Sequence, residues 1–161
     1  MKIVIIIIFV VIFLFLQIGI LPNLKIANVY PNLFLIGLIG LTILIGWKQS
    51  LGWIIATGLF LDFYSLNNIL GISIFILLLT CIFSQFLNQR FLKKENKLSV
   101  VLIFTISLLF FEILSIILFK ILRIESNFYL LGLIVKIIYS SILALPVFYV
   151  IKWYVDKIKS L

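Results

Sequence analysis

The sequence predicts an all-α polytopic membrane protein, six transmembrane helices with both termini on the cytoplasmic side. Three observations carry this: composition, segmentation and the placement of basic residues. Of 161 residues, 65% are apolar and 16% aromatic, and the mean hydropathy is +1.40. So little polar surface cannot coat a water-soluble globule. Apolar runs continue almost to both ends, with no space for an extramembrane domain of about 50 residues, so a single transmembrane domain over residues 1–161 is expected.

Polar breaks divide the apolar sequence into segments at about 3–21, 32–47, 49–66, 69–88, 98–119 and 128–151. Most approach the roughly 20 residues a helix needs to cross a bilayer. The first exceeds the apolar core of a secretion signal, about 7–15 residues, and no small-x-small cleavage site follows, so it reads as a retained helix. Pro22-Asn23 and Pro31-Asn32 bracket the loop before the second, because proline disfavours helix in the residue before it and suits a first helical turn. The third is short. Its uninterrupted apolar part, residues 51–61, must borrow flanking polar residues to cross, or else be a re-entrant half-helix. Pro146 lies within the sixth, where it should kink the helix or release a carbonyl to a neighbour.

Charge selects six crossings. With the N-terminus inside, nine of the 13 Lys and Arg face the cytoplasm: Lys2, Lys48, the cluster Arg90, Lys93, Lys94 and Lys97, and the tail residues Lys152, Lys157 and Lys159. Lys25, Lys120 and Arg123 fall outside, and Lys136 lies within the last segment. A third segment that failed to cross would put the 90–97 cluster outside, against the positive-inside bias. Trp47, Trp53 and Trp153 then fall near the inner surface and Tyr30, Tyr64 and Tyr129 near the outer one, as interfacial aromatics should. The net charge of +8 therefore reads as a topology signal rather than a nucleic-acid surface.

Three ionisable residues lie where lipid should be: Asp62, Glu112 and Lys136. A charge in that position costs a few kcal/mol unless it is paired. Glu112 is about 10 Å from the outer end of the fifth segment and Lys136 about 12 Å down the sixth, so antiparallel packing brings them to similar depth. Thr105, Glu112 and Ser115 share one helix face, and Gly132, Lys136 and Ser140 another. Two readings follow: a polar contact that fixes how the last two helices pack, or a polar cavity on the outer side that receives a partner or ligand. Asp62 ends an apolar run before the turn Tyr64-Ser-Leu-Asn-Asn68. It either accepts backbone N–H groups of that turn or the next helix, or pairs with Lys25 or Lys136.

No catalytic group emerges. The chain has no histidine, one cysteine (Cys81), no paired carboxylates with nearby bases and no Gly-rich phosphate loop. No catalytic residues, metal site or cofactor are expected, and an enzyme is not the reading.

The stretch around Asp62 also carries a resemblance. Gly58-Leu59, Leu61-Asp62 and Leu70-Gly71 resemble the signature of the MreD family of rod-shape-determining proteins: glycine-leucine-x-leucine-aspartate, a turn, then leucine-glycine entering the next helix. Leu16-Gln17, Pro31-Asn32-Leu33, Phe111-Glu112 and the short basic tail fit the same pattern. The turn here, Ser65-Leu-Asn-Asn68, lacks the Gly and Pro common in the family, and Asn32 stands where aspartate is common. The resemblance implies a non-catalytic subunit of the cell-elongation machinery in the bacterial inner membrane. It implies contact with MreC through its membrane helix, and with MreB and the peptidoglycan synthases (a class B penicillin-binding protein and RodA) directly or through MreC. Membrane lipid is an expected partner and nucleic acid is not. MreD proteins are similar in architecture to the substrate-binding S components of energy-coupling-factor transporters, so the resemblance implies an S-component-like bundle and also supplies the alternative reading. Those usually carry alanine-rich positions on helix one, whereas residues 3–21 contain no alanine.

Overall fold

The computed structural model describes residues 31–64, 70–91, 97–123 and 130–159, with Phe15, Gln17, Gly19 and Asn23. Five helices follow in order: α1 (Leu33–Ile45), α2 (Leu51–Tyr64), α3 (Ile72–Phe91), α4 (Lys97–Ile121) and α5 (Leu130–Lys159). They correspond to the second through sixth expected segments, and there is no strand among the described residues. The first expected segment, 3–21, lies outside the described residues except for Phe15, Gln17 and Gly19.

α1 is the centre. It packs along α3 and α5 and touches α4 and α2, while α2 leans on α3 and the pairs α3–α4 and α4–α5 pack as sequential neighbours. Nine of its 13 residues, from Leu33 to Thr42, are buried. A helix apolar on every side finds its minimum inside a bundle rather than at a surface. Gly40 lets Ile151 approach: a Cβ there would lie 3.0 Å from the Ile151 Cδ1. The first residues of α1 meet Lys136 and Ile137 early in α5, and Leu41 near its end meets Ile151, Tyr154 and Val155 late in α5. α1 and α5 therefore run parallel, with the bundle having an Asn32 end and a Lys48 end.

The interior is largely apolar, but it also encloses polar side chains, and the surface is far more apolar than that of a soluble bundle. Thr42, Thr80, Ser84, Ser107, Glu112 and Ser140 are buried, while Phe63, Ile113, Leu131 and Ile142 are 53–72% exposed. In water this exchange would be destabilising, because burial normally goes to apolar groups and exposure to polar ones. In hydrocarbon it is the arrangement that satisfies both sets. Three helices are long and apolar enough to cross a membrane, at Ile72–Arg90, Leu98–Ile121 and Leu131–Lys157.

α1 and α2 depart from the expectation of full-length crossings. With 13 and 14 residues they reach about 20 Å, against about 30 Å of hydrocarbon. The expected 32–47 ends early because the chain turns at Gly46, whose φ is 86° and whose N–H bonds the Thr42 carbonyl. The expected 49–66 starts only at Leu51, after the Ser50 hydroxyl has bonded the Gly46 carbonyl at 2.9 Å. The expected 69–88 begins later, at Ile72, because Gly71 has φ 101°. It also runs on to Phe91, since Gln85 and Asn88 bond α1 instead of ending the helix. The fifth segment, 98–119, grows to Lys97–Ile121.

The largest correction is the C-terminal end. Residues after 151 continue α5 to Lys159. Ile151, Tyr154 and Val155 share the face turned to α1 and are buried there, while Trp153 and Lys157 face outward. The helix is amphipathic in this last part, a pattern that the dense charges of the tail disguise. Pro146 lies inside α5, which continues on either side of it.

Candidate functional site

At the Asn32 end, α4 and α5 bring Glu112 and Lys136 together, with Nζ and Oε1 2.6 Å apart. The Glu112 side chain is 10% exposed and that of Lys136 31%, so the cation reaches toward the surface from a carboxylate held inside. Such a pair is retained because removing either member would strand the other in a medium of low dielectric. Asn32, Leu35, Leu108, Ile137 and Ser140 complete the wall of a cavity of about 10 Å³ beside the pair. That is room for about one water molecule. The N-terminus of α1 closes the site. The Asn32 side chain accepts from the Leu35 N–H at 3.1 Å, and Gln17 Oε1 accepts from the Leu33 N–H at 2.8 Å. Two of the helix's unsatisfied first-turn donors are thereby met.

Asp62 is placed elsewhere, between α2 and α3, and does not line this cavity. It is 3% exposed. One carboxylate oxygen accepts the Gly71 N–H at 2.6 Å and the other the Ser73 N–H at 3.0 Å. The last turn of α2 thus supplies the N-terminal cap of α3, where the helix dipole also favours an anion. Lys136, one partner considered for Asp62, is joined to Glu112. Lys25, the other, lies outside the described residues.

The glycines flanking Asp62 explain the spacing of its motif. A Cβ at Gly58 would stand 2.5 Å from the Ile74 Cγ1 and 2.7–2.8 Å from the Ile74 backbone, so only glycine permits this crossing of α2 and α3. Gly71, with φ 101°, turns the chain so that its N–H points back at Asp62. Leu61 packs against the core and Leu70 is 61% exposed. Gly58, Asp62 and Gly71 together form a clamp on the α2–α3 hairpin: close approach, cap and turn.

A family model described as rod shape-determining protein MreD matches residues 1–154. The chain belongs to the MreD family. No curated protein and no solved structure matches it, and the expected S-component-like bundle is not supported. MreD proteins are known as membrane proteins that determine rod shape rather than as enzymes. The motif that resembled the MreD signature is, in this member, the α2–α3 clamp.

Several polar positions in this MreD chain carry contacts that sequence reasoning did not single out. At the Lys48 end, Gln85 Oε1 accepts from the Trp47 N–H at 2.7 Å and Asn88 Nδ2 donates to the Ile43 carbonyl at 3.1 Å, so α3 caps the end of α1. Between helices, the Ser84 and Ser107 hydroxyls bond at 2.9 Å and those of Thr105 and Ser141 at 3.0 Å. The signal for the amides was available: Gln85 and Asn88 are one turn apart in an otherwise apolar helix. Thr105 was grouped with Glu112 by spacing, yet it bonds Ser141 rather than joining the ion pair. Ser115 bonds the Phe111 carbonyl of its own helix.

Proposed function

We propose that this chain is a non-catalytic membrane subunit of the bacterial cell-elongation complex, binding MreC and helping to organise peptidoglycan synthesis and cell shape. The observation that carries this reading is the family match over nearly the whole length. The protein sits in the inner membrane as one domain that crosses six times with both termini cytoplasmic. The alternation of helix direction through α1–α5 and the nine basic residues assigned to one side support that topology. α1 need not match the bilayer alone, since it is enclosed by protein rather than lipid.

Asp62, Glu112 and Lys136 act in this reading as internal braces. Each meets partners within the bundle, and the cavity beside Glu112 takes about one water, too little for a vitamin-sized ligand. MreC, and through it or directly MreB, RodA and the class B penicillin-binding protein, would meet the outer surface of a shape these braces maintain. Affinity purification of the tagged protein from its native membrane in mild detergent tests the proposal. Recovery of MreC with wall-synthesis proteins is the expected result. Recovery of an energy-coupling transmembrane subunit with ATPases would overturn it.

A further inference from the structure

Two separate helices end, on the same side of the bundle, in the same surface pattern. On α3 the exposed residues Ile82, Phe86 and Arg90 follow at spacings of four, and the Arg90 guanidinium lies 5.4 Å from the centre of the Phe86 ring. On α5 the exposed Val150 and Trp153 lead to Lys157, whose ammonium lies 4.9 Å from the Trp153 ring centre. Residues spaced by three or four on a helix form one continuous stripe. Each stripe is therefore an apolar rail that ends in a cation held over the last aromatic ring. A third pair, Lys48 5.9 Å over Trp47, lies at the same end. These three cation–ring contacts thus share one end of the bundle.

Each stripe spans about 10–12 Å, enough to line the headgroup-proximal part of one acyl chain and reach its phosphate. An apolar stripe facing hydrocarbon would accept any lipid tail. Holding the cation at the ring, about 5 Å from the apolar rail, fixes a positive group at headgroup depth and removes part of the entropy cost of recruiting it. The choice of headgroup follows from charge. Eight of the 13 Lys and Arg fall in the sequence at or between the helix ends that meet here, against two carboxylates, Glu95 and Asp156. Attraction of a juxtamembrane basic cluster favours net-negative over zwitterionic lipid. A positive-inside signal needs only the charges; the paired aromatic and apolar rails are what a lipid seat adds.

We propose that the Lys48 end of the bundle selectively holds anionic phospholipid, with Phe86–Arg90 and Trp153–Lys157 as two seats. The full-length protein, purified in detergent, is titrated with phosphatidylglycerol or with phosphatidylcholine, and bound lipids are counted by native mass spectrometry. The wild type should retain phosphatidylglycerol several-fold better. The variant Arg90→Gln/Lys157→Gln should lose that preference, while Lys120→Gln/Arg123→Gln, at the opposite end, should keep it. Both substitutions in the first variant are on the surface, and its helix content by circular dichroism reports that it is folded. As a second measurement, raising the salt on the wild type should weaken the preference through screening. Equal uptake of both lipids by the wild type would overturn the proposal. So would a preference that survives Arg90→Gln/Lys157→Gln, or one lost equally in the opposite-end variant.

Discussion

The two ends of the bundle handle charge in opposite ways. At the Asn32 end, a carboxylate and an ammonium are drawn inward and joined, and a second carboxylate is spent on the N–H groups of the next helix. At the Lys48 end the amides Gln85 and Asn88 serve the interior, and Lys48, Arg90 and Lys157 stay outside over aromatic rings. The difference teaches what each end has to do in lipid. Neutral amides cap a buried helix terminus with little desolvation cost. A full charge inside must be matched by another charge or by a helix dipole, and that makes its contact far more specific. The Asn32 end is thus the place where the order and approach of the helices are specified most strictly.

The sharpest way to break that contrast is Glu112→Gln, which leaves Lys136 without its carboxylate. Loss of one member of a buried pair costs roughly 3 kcal/mol, the low end of the usual range because Lys136 reaches the surface. Thermal unfolding in detergent should show a large drop in midpoint. Glu112→Lys combined with Lys136→Glu should recover most of it; no recovery would argue that the pair's direct contact is not what stabilises α4 against α5.

Gly58→Ala comes next. The added methyl would meet Ile74 backbone atoms at 2.7–2.8 Å, where no rotamer can give way, so α2 must shift off α3. Overpacking of this kind costs about 2 kcal/mol. The shift also pulls Asp62 from its N–H donors, so the same variant should raise amide hydrogen exchange at Gly71 and Ser73. A smaller effect is expected of Asp62→Asn, which keeps the shape but loses the charge and one acceptor: its single oxygen can serve only one of the Gly71 and Ser73 N–H groups and its NH2 faces the other, for a cost of about 1.5 kcal/mol. If Asp62→Asn proved worse than Gly58→Ala, the carboxylate rather than the close helix approach would be the main element of the clamp.

How much of this was legible beforehand follows the same division. The charged positions stood out against an apolar background: Asp62, Glu112 and Lys136 could be named, and the depth of the last two pointed to a shared level. Helix existence was equally readable, since long apolar runs leave few alternatives. Ends were less so. Gly46 and Gly71 look like ordinary small residues in apolar sequence until their positive φ values show that the chain turns there. The last eight residues of α5 read as a basic tail because their charges mask the buried face of Ile151, Tyr154 and Val155. Hydroxyl partners were illegible for a different reason. A serine in a membrane helix can always bond its own preceding turn, as Ser84 does to the Thr80 carbonyl at 2.7 Å, so spacing alone does not announce a second partner. The role of Gly58 depends on where the Ile74 backbone passes, a distance that exists only after α2 and α3 have packed.

Ser107→Ala gives the smallest expected effect and the finest test of the contrast between ends. Ser107 lies in the middle of α4, away from both ends, and its hydroxyl meets that of Ser84, which already bonds the Thr80 carbonyl. Removing it therefore strands no donor: Ser84 keeps its carbonyl, and the methyl of alanine sits comfortably in the space left. Interhelical hydrogen bonds in membrane proteins average only about 0.6 kcal/mol, because the separated helices find other partners. Ser107→Ala should shift the unfolding midpoint far less than Glu112→Gln, although both residues are buried in the bundle and both lie on the same helix. A loss from Ser107→Ala as large as that from Glu112→Gln would mean that enclosure in itself, rather than the charge enclosed, sets the cost, and the distinction between the two ends would then have no energetic basis.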